Sequence, residues 1–203
     1  MKKIIIIYIC ICAVTVVSAK SMKELWVSMP DSLLPYLNAE KRMALTVSAS
    51  EKIKTRIDNL LEGHSTMDTL TADYLRIQLN ESTEIQLKRL PVEGADSIIC
   101  MVKTCFAPEA ESEVAFYSQS WKYIGDMPLT TTGLIIQPDT MTTSRFEELK
   151  GMIDPQMVKA ELSTSTNTLV LDLSLPLLTS ADKSNLRPIL QQRTVKWNGK
   201  TFN

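Results

Sequence analysis

The feature that most constrains this chain is a change of hydrophobic period at Tyr74. From there Leu75, Ile77 and Leu79 alternate with Arg76 and Gln78, a polar run from Asn80 to Thr83 intervenes, and Ile85 and Leu87 alternate with Glu84, Gln86 and Lys88. A period of two sends successive side chains to opposite faces of a strand, so these residues predict an antiparallel hairpin with one apolar and one wet face. "VEGAD" supplies the next turn. Ser97 to Phe106 and, past the "APEAES" loop, Val114 to Ile124 then read as two longer strands rich in β-branched, aromatic and sulfur side chains. Four consecutive strands with short polar links predict a meander.

Upstream of Tyr74 the period is helical or interrupted. In "SMPDSLLPYL", residues 28–37, Asp31 or Ser28 can cap a short turn carrying Leu33 and Leu34, and Pro35 lacks the N–H that would continue it. Asn38 offers a new N-cap, with Ala39, Glu40 and Lys41 in the first turn and Met43, Leu45 and Val47 as the apolar positions that follow. The expectation is a broken helix-turn-helix lid whose leucines face a sheet; an exposed apolar wedge for a partner is the alternative. Residues 48–63 satisfy both periods through Ile53, Thr55, Ile57 and Leu60, and read as helix first, strand by Arg56, and a stop at Gly63.

The second half repeats this order in shorter form. Ser144 to Glu147 is a capping box, Phe146 and Leu149 begin an apolar face, Gly151 is a natural stop and Asp154-Pro155 a turn. Val158, Ala160 and Leu162 then alternate with polar residues. Ser163 to Thr168 forms a turn, and Leu169, Leu171, Leu173 and Leu175 alternate again. Both hairpins end in Leu-Pro, a pattern that suits duplication and equally suits two unrelated amphipathic hairpins. Ser180 to Leu186 reads as a short helix ended by Pro188, and "TVKWNGKTF" as a tight hairpin at Asn198-Gly199. Helices before strands define an α+β chain: antiparallel sheet with helices packed on one side, in an order that allows two related helix-plus-sheet halves. The halves are residues 20–125 and 143–203, joined by a Thr-, Pro- and Gly-rich connector at 126–142.

The N-terminus bounds the compartment. Lys2 and Lys3 precede an apolar run from Ile4 to Val17, followed by Val17-Ser18-Ala19, so residues 1–19 read as a signal peptide cleaved after Ala19. The run is shorter than the roughly 20 residues a spanning helix needs, and no transmembrane segment is expected in the mature chain. Cys10 and Cys12 leave with the leader. The formal charge of −1 becomes about −3 once Lys2 and Lys3 are removed, with basic residues dispersed, which argues against nucleic acid and anionic membrane as partners. Cys100 and Cys105 lie five residues apart in one predicted strand, hence about 16 Å apart at 3.3 Å per residue, beyond the roughly 7 Å a disulfide tolerates. Two free thiols are expected, Cys100 sharing a face with Ile98 and Val102.

At "MPDSLLPYL", "DYLRIQL", "SIICMVKTCFAPEAESEVAFYSQSWK" and "VKWNGKTF" the chain resembles a family of exported proteins of Bacteroides-type bacteria known only as a domain of unknown function. That resemblance covers essentially the whole mature chain and implies export in a Gram-negative bacterium, to the periplasm or the cell surface. It brings no catalytic residues. The element order also resembles the β-lactamase-inhibitor-protein-like fold, a helix pair plus four-stranded antiparallel sheet in tandem, from which no inhibitory function follows.

The chemistry-bearing residues are sparse. His64 is the sole histidine, so no His-rich metal site can be built and a Ser-His-Asp triad or Cys-His pair would have to use it; in a predicted turn it reads as a solvated side chain rather than a catalytic base. Ser180 and Lys183 have the serine-x-x-lysine spacing of penicillin-binding enzymes without the companion motifs, and Ser180 reads better as an N-cap. Asp96, Glu109, Glu111 and Glu113 could gather a calcium ion or pair as carboxylates, but lack loop-site spacing and read as a solvated rim. No catalytic residue, metal or cofactor is assigned. Tyr117, Gln119, Trp121 and Tyr123 share a face of one predicted strand. Tyr117, Trp121, Tyr123 and Trp197 are therefore the candidate binding residues, because such rings offer large contact area at low entropic cost, with packing beneath the helices as the alternative. The expected function is that of a non-catalytic binding or accessory module for a protein or glycan of the cell envelope. The alternative is a carboxylate-based hydrolase of envelope glycans, which needs two carboxylates about 5 to 9 Å apart.

Overall fold

The computed structural model describes residues 20–50, 56–60, 63–175 and 178–203. The predicted leader with Cys10 and Cys12, the ambiguous positions Ile53 and Thr55, and Pro176 lie outside them. Two helices, α1 (Met22–Val27) and α2 (Ala39–Ser50), precede seven strands: β1 (Ile57–Asp58), β2 (His64–Leu70), β3 (Tyr74–Asn80), β4 (Thr83–Val92), β5 (Ala95–Cys105), β6 (Glu111–Tyr117) and β7 (Tyr123–Met127). The strands form one antiparallel sheet in sequence order. After α3 (Thr143–Lys150), strands β8 (Met157–Leu162), β9 (Thr168–Ser174) and β10 (Arg193–Lys196) make a second sheet ordered β10-β9-β8, with α4 (Ser180–Leu186) between β9 and β10.

The chain is α+β, as alternation predicts, but the sheets have seven and three strands rather than four each, so the tandem expected from the second resemblance does not describe it. Expectations also fail locally. His64 opens β2 instead of sitting in a turn, and the stretch from Val114 to Ile124 is not one strand. It breaks after Tyr117, turns through Ser118 to Trp121, and returns as β7. Trp121 holds φ of 63°, a left-handed backbone unusual for a bulky residue, with its N–H donated to the Ser118 carbonyl at 2.9 Å.

The N-terminal helices cover one face of the large sheet. Trp26, Leu34, Leu37 and Leu45 pack with Leu75, Ile77, Ile85 and Leu87, so the leucines of the interrupted segment do face the sheet. Asn38 caps α2, its Oδ1 accepting from Lys41 N at 3.0 Å. Of the apolar positions of α2, Leu45 is buried while Met43 and Val47 are exposed. Residues two apart cannot share a helical face, and the inward row is Arg42, Leu45, Thr46 and Ala49. Arg42 explains the prolines. Pro30 and Pro35 bend the chain so that the carbonyls of Val27, Met29 and Leu37 and the carboxylate of Asp31, at 2.8 Å, all converge on its buried guanidinium.

The second sheet covers the opposite face, with β8 lying across β4, β5 and β6. Cys100 and Val102 meet Val158, Ala160, Leu169 and Leu171 there, with Ile98 partly buried beside them. Both cysteines are free, Cys100 buried and Cys105 exposed. The face read as wet is therefore dry: Glu84, Gln86 and Lys88 are 4%, 1% and 1% exposed. A third cluster joins Phe146 and Leu149 of α3 to Leu186 of α4 and Leu175. Both helices are capped one or two residues before the expected positions. Thr142 caps α3 in place of Ser144, and Thr179 caps α4 in place of Ser180.

Candidate functional site

The two covers are offset. On the helix face, α1 and α2 stop short of the β5-β6-β7 end and leave a strip of sheet open. There Met101, Lys103, Glu113, Ala115, Tyr117 and Asp126 line a cleft of about 440 Å³. The positions follow from pairing: Lys103 lies opposite Glu113, and Ala115 opposite Asp126. Alternation along β5 and β6 puts Met101, Lys103, Glu113, Ala115 and Tyr117 on one face.

The aromatic residues close one end of this strip. The turn after β6 folds Trp121 back until its ring centroid is 5.7 Å from that of Tyr117, and its indole N–H donates to the Leu25 carbonyl at 3.0 Å. A buried hydrogen bond thus holds the strained backbone at Trp121 and ties the turn to α1. Tyr123 stands 5.9 Å from Tyr117, edge to face, and its hydroxyl donates to Asp126 Oδ2 at 2.6 Å. That bond, with minor help from burial and the Asp126 charge, raises the Tyr123 phenol above its ordinary pKa. Tyr117 is raised chiefly by burial, then by Asp126 and Glu113, so both phenols stay neutral donors at physiological pH.

The four aromatic residues singled out in the sequence do not form one surface. Tyr117, Trp121 and Tyr123 meet because of the turn, not by strand alternation, and of the three only Tyr123, at 54%, is exposed. Trp197 lies on the opposite face, its ring 5.6 Å from Phe116 and 5.3 Å from Phe202, with its N–H donated to the Pro91 carbonyl at 2.6 Å. It packs the second sheet onto the first. Sequence reasoning missed Met101, Lys103 and Asp126. Alternation in "ICMVKT" carried the signal for the first two, while Asp126 depends on the break after Tyr117 and on the extra residue, Ile124, that pairing leaves in β7.

The remaining candidates disperse. Glu109 pairs with Lys183, Glu111 lies opposite Cys105, and Asp96 borders a separate depression with Lys20 and Ser118. Lys183 is thereby turned to Glu109 rather than to Ser180. Among the described residues no three His, Cys, Asp or Glu side chains are placed to hold a metal ion. Burial pushes the Cys100 thiol far up, the opposite of a reactive cysteine.

The sequence profile of the proteins of unknown function DUF3256 matches residues 14–202. The chain belongs to this family. The DUF3256 fold is similar to the solved structure of a domain of an uncharacterized protein from Porphyromonas gingivalis W83, with a TM-score of 0.71 and 21% identity over 88% of this chain and 96% of that one. At that identity the likeness concerns the fold alone. No curated protein matches the chain. No helix among the described residues of this DUF3256 chain is long and apolar enough to cross a membrane.

Proposed function

We propose that the chain is an exported, non-catalytic binding or accessory protein of the periplasm or cell surface, and that it engages an envelope protein or glycan on the open strip of β5, β6 and β7. One observation carries this reading: sheet surface bearing Tyr123, Lys103, Glu113 and Asp126 is left exposed over a floor of Met101 and Tyr117, beside a turn whose backbone is held in a strained shape. Tyr123 supplies an exposed ring, and Lys103, Glu113 and Asp126 supply polar contacts around an apolar floor, the composition of a recognition surface.

The test is capture from an envelope extract by the wild-type chain and by Tyr123→Ala and Ala115→Arg variants with verified folds. Loss of the same captured species by both variants is the expected result; equal recovery would remove the strip as the contact surface. N-terminal sequencing of the native protein is expected to begin at Lys20. A glycan hydrolase is the second reading, favoured by Glu113 and Asp126 lining one cleft. It requires that envelope glycan be cleaved by the wild type and left intact by Glu113→Gln.

A further inference from the structure

The second sheet is offset in the opposite sense from the helices. It leaves the β1-β2-β3 end of its own face open, on the reverse side of the large sheet from the aromatic strip. A shallow groove of about 620 Å³ lies there, lined by Arg56, His64, Thr66, Gln78, Asn80, Glu81 and Ser82 among others. Thr66 and Gln78 are cross-strand partners, so strand pairing fixes their spacing, while Asn80 ends β3 and Ser82 lies in the turn to β4.

Its hydrogen bonds show which groups are already spoken for. Asn80 Oδ1 accepts from Ser82 N at 2.9 Å and from Ser82 Oγ at 3.2 Å, leaving the Asn80 amide donors without a partner among the described residues. Gln78 Nε2 donates to the carbonyls of Asn80 and Thr83, leaving Gln78 Oε1 as an acceptor. Asp58 takes His64 Nδ1 at 2.8 Å and so orients the ring, with Nε2 unpartnered among the described residues. Arg56 is exposed and among the described residues has no hydrogen-bond or ion-pair partner, whereas Arg42, Arg76 and Lys88 are all paired. The groove thus offers a free guanidinium and amide donors at one set of positions. At another it offers the acceptors Gln78 Oε1 and the Glu81 carboxylate. A ligand that satisfies both carries an anionic group for Arg56 and hydroxyl donors for Gln78 and Glu81.

We propose that this groove is a binding site for an acidic saccharide, with Arg56 taking the sugar carboxylate and Asn80, Gln78 and Glu81 the ring hydroxyls. It is separate from the aromatic strip and stands whether or not that strip binds a partner.

The test is a titration of the isotope-labelled protein with D-glucuronate, D-glucose and sodium sulfate, followed by amide NMR. Glucuronate is expected to shift residues 56–58, 63–66 and 78–83 saturably, with affinity at least about tenfold above glucose, and Arg56→Gln is expected to remove at least about tenfold of it. Asn80→Ala should lose several-fold, while Tyr123→Ala should bind glucuronate as the wild type does. The variants change exposed or turn side chains, so an unaltered spectrum elsewhere verifies their fold. The proposal is overturned if glucose binds equally well or if Arg56→Gln retains full affinity. It is equally overturned if sulfate reproduces the shifts at equal affinity, or if the shifts centre on β5 to β7.

Discussion

The two faces of the large sheet are covered by opposite chemistries. Beneath α1 and α2 the contact with the sheet is largely apolar, with Trp26, Leu37, Ile77 and Leu87 fully buried, and the buried Arg42 guanidinium is satisfied within the helical segment itself. Beneath the second sheet an apolar patch around Val102 and Leu171 adjoins a layer of buried polar groups. Arg76 Nε meets Glu84 at 2.8 Å and its Nη1 meets Glu161 at 3.1 Å, and Gln86 Nε2 donates to Glu84 at 2.8 Å. Lys88, 1% exposed, pairs with Asp73 at 2.8 Å and donates to the Thr164 carbonyl at 3.1 Å. Gln86 and Ser112, also buried, close the edge of β8. Leu162 N–H donates to Gln86 Oε1 at 2.8 Å and Ala160 N–H to Ser112 Oγ at 2.9 Å, which occupies backbone donors that an edge strand otherwise presents to other chains. The difference teaches that the helices adhere by area, whereas the second sheet docks in one register set by hydrogen bonds. Apolar contact tolerates small slips; paired buried charges do not.

The comparison can be broken or sharpened by substitution. Leu87→Ala, under the helices, is expected to lose about 3 to 4 kcal/mol in urea unfolding, the transfer and cavity terms of a fully buried leucine. A loss below about 1 kcal/mol would mean the helix face is loosely packed. On the other face Asp73→Ala should cost about 2 to 3 kcal/mol, because it strands the buried Lys88 ammonium. Lys88→Met should cost under about 1 kcal/mol, since water can reach the Asp73 it leaves behind. Equal losses would show that Lys88 contributes packing rather than a paired charge. Gln86→Leu removes the acceptor for Leu162 N–H and for the Tyr74 hydroxyl, whose bond to Gln86 Oε1 is 3.3 Å. A loss of about 1 to 3 kcal/mol is expected, with faster hydrogen exchange at Leu162 and no change at Ile77.

The smallest effect is that of acid. Burial alone would raise Asp73 and Glu161, but Lys88 outweighs it at Asp73, and Lys159 with Arg76 outweighs it at Glu161, so both carboxyls are held below their ordinary values. A lowered native pKa gives stability that is complete above the unfolded value and lost as pH falls through the folded one. The urea midpoint should therefore stay level from pH 7 to 5 and drop below about pH 4, with a shallower drop in Asp73→Asn.

Legibility followed the range of the interaction. The strands β3, β4, β5, β8 and β9, the free cysteines and the Asn38 cap were readable because each depends on neighbours a few residues away. The aromatic grouping was half readable. Tyr117 and Tyr123 do meet, through a turn that alternation cannot foresee, and Trp197 belongs to the other side. The dry polar layer was not readable, because Glu84, Gln86 and Lys88 have the pattern of a solvated face. What covers them comes from far along the chain: Leu162 meets Gln86 and Thr164 meets Lys88, each 76 residues away.

By itself the sequence determined which side chains share a face, since a period of two along β3 to β6 and β8 to β9 is a property of the extended backbone. Only the tertiary structure decided what each face meets. A pattern of polar residues records where side chains point but not whether water or a second sheet lies opposite, and that choice placed both open strips of the molecule.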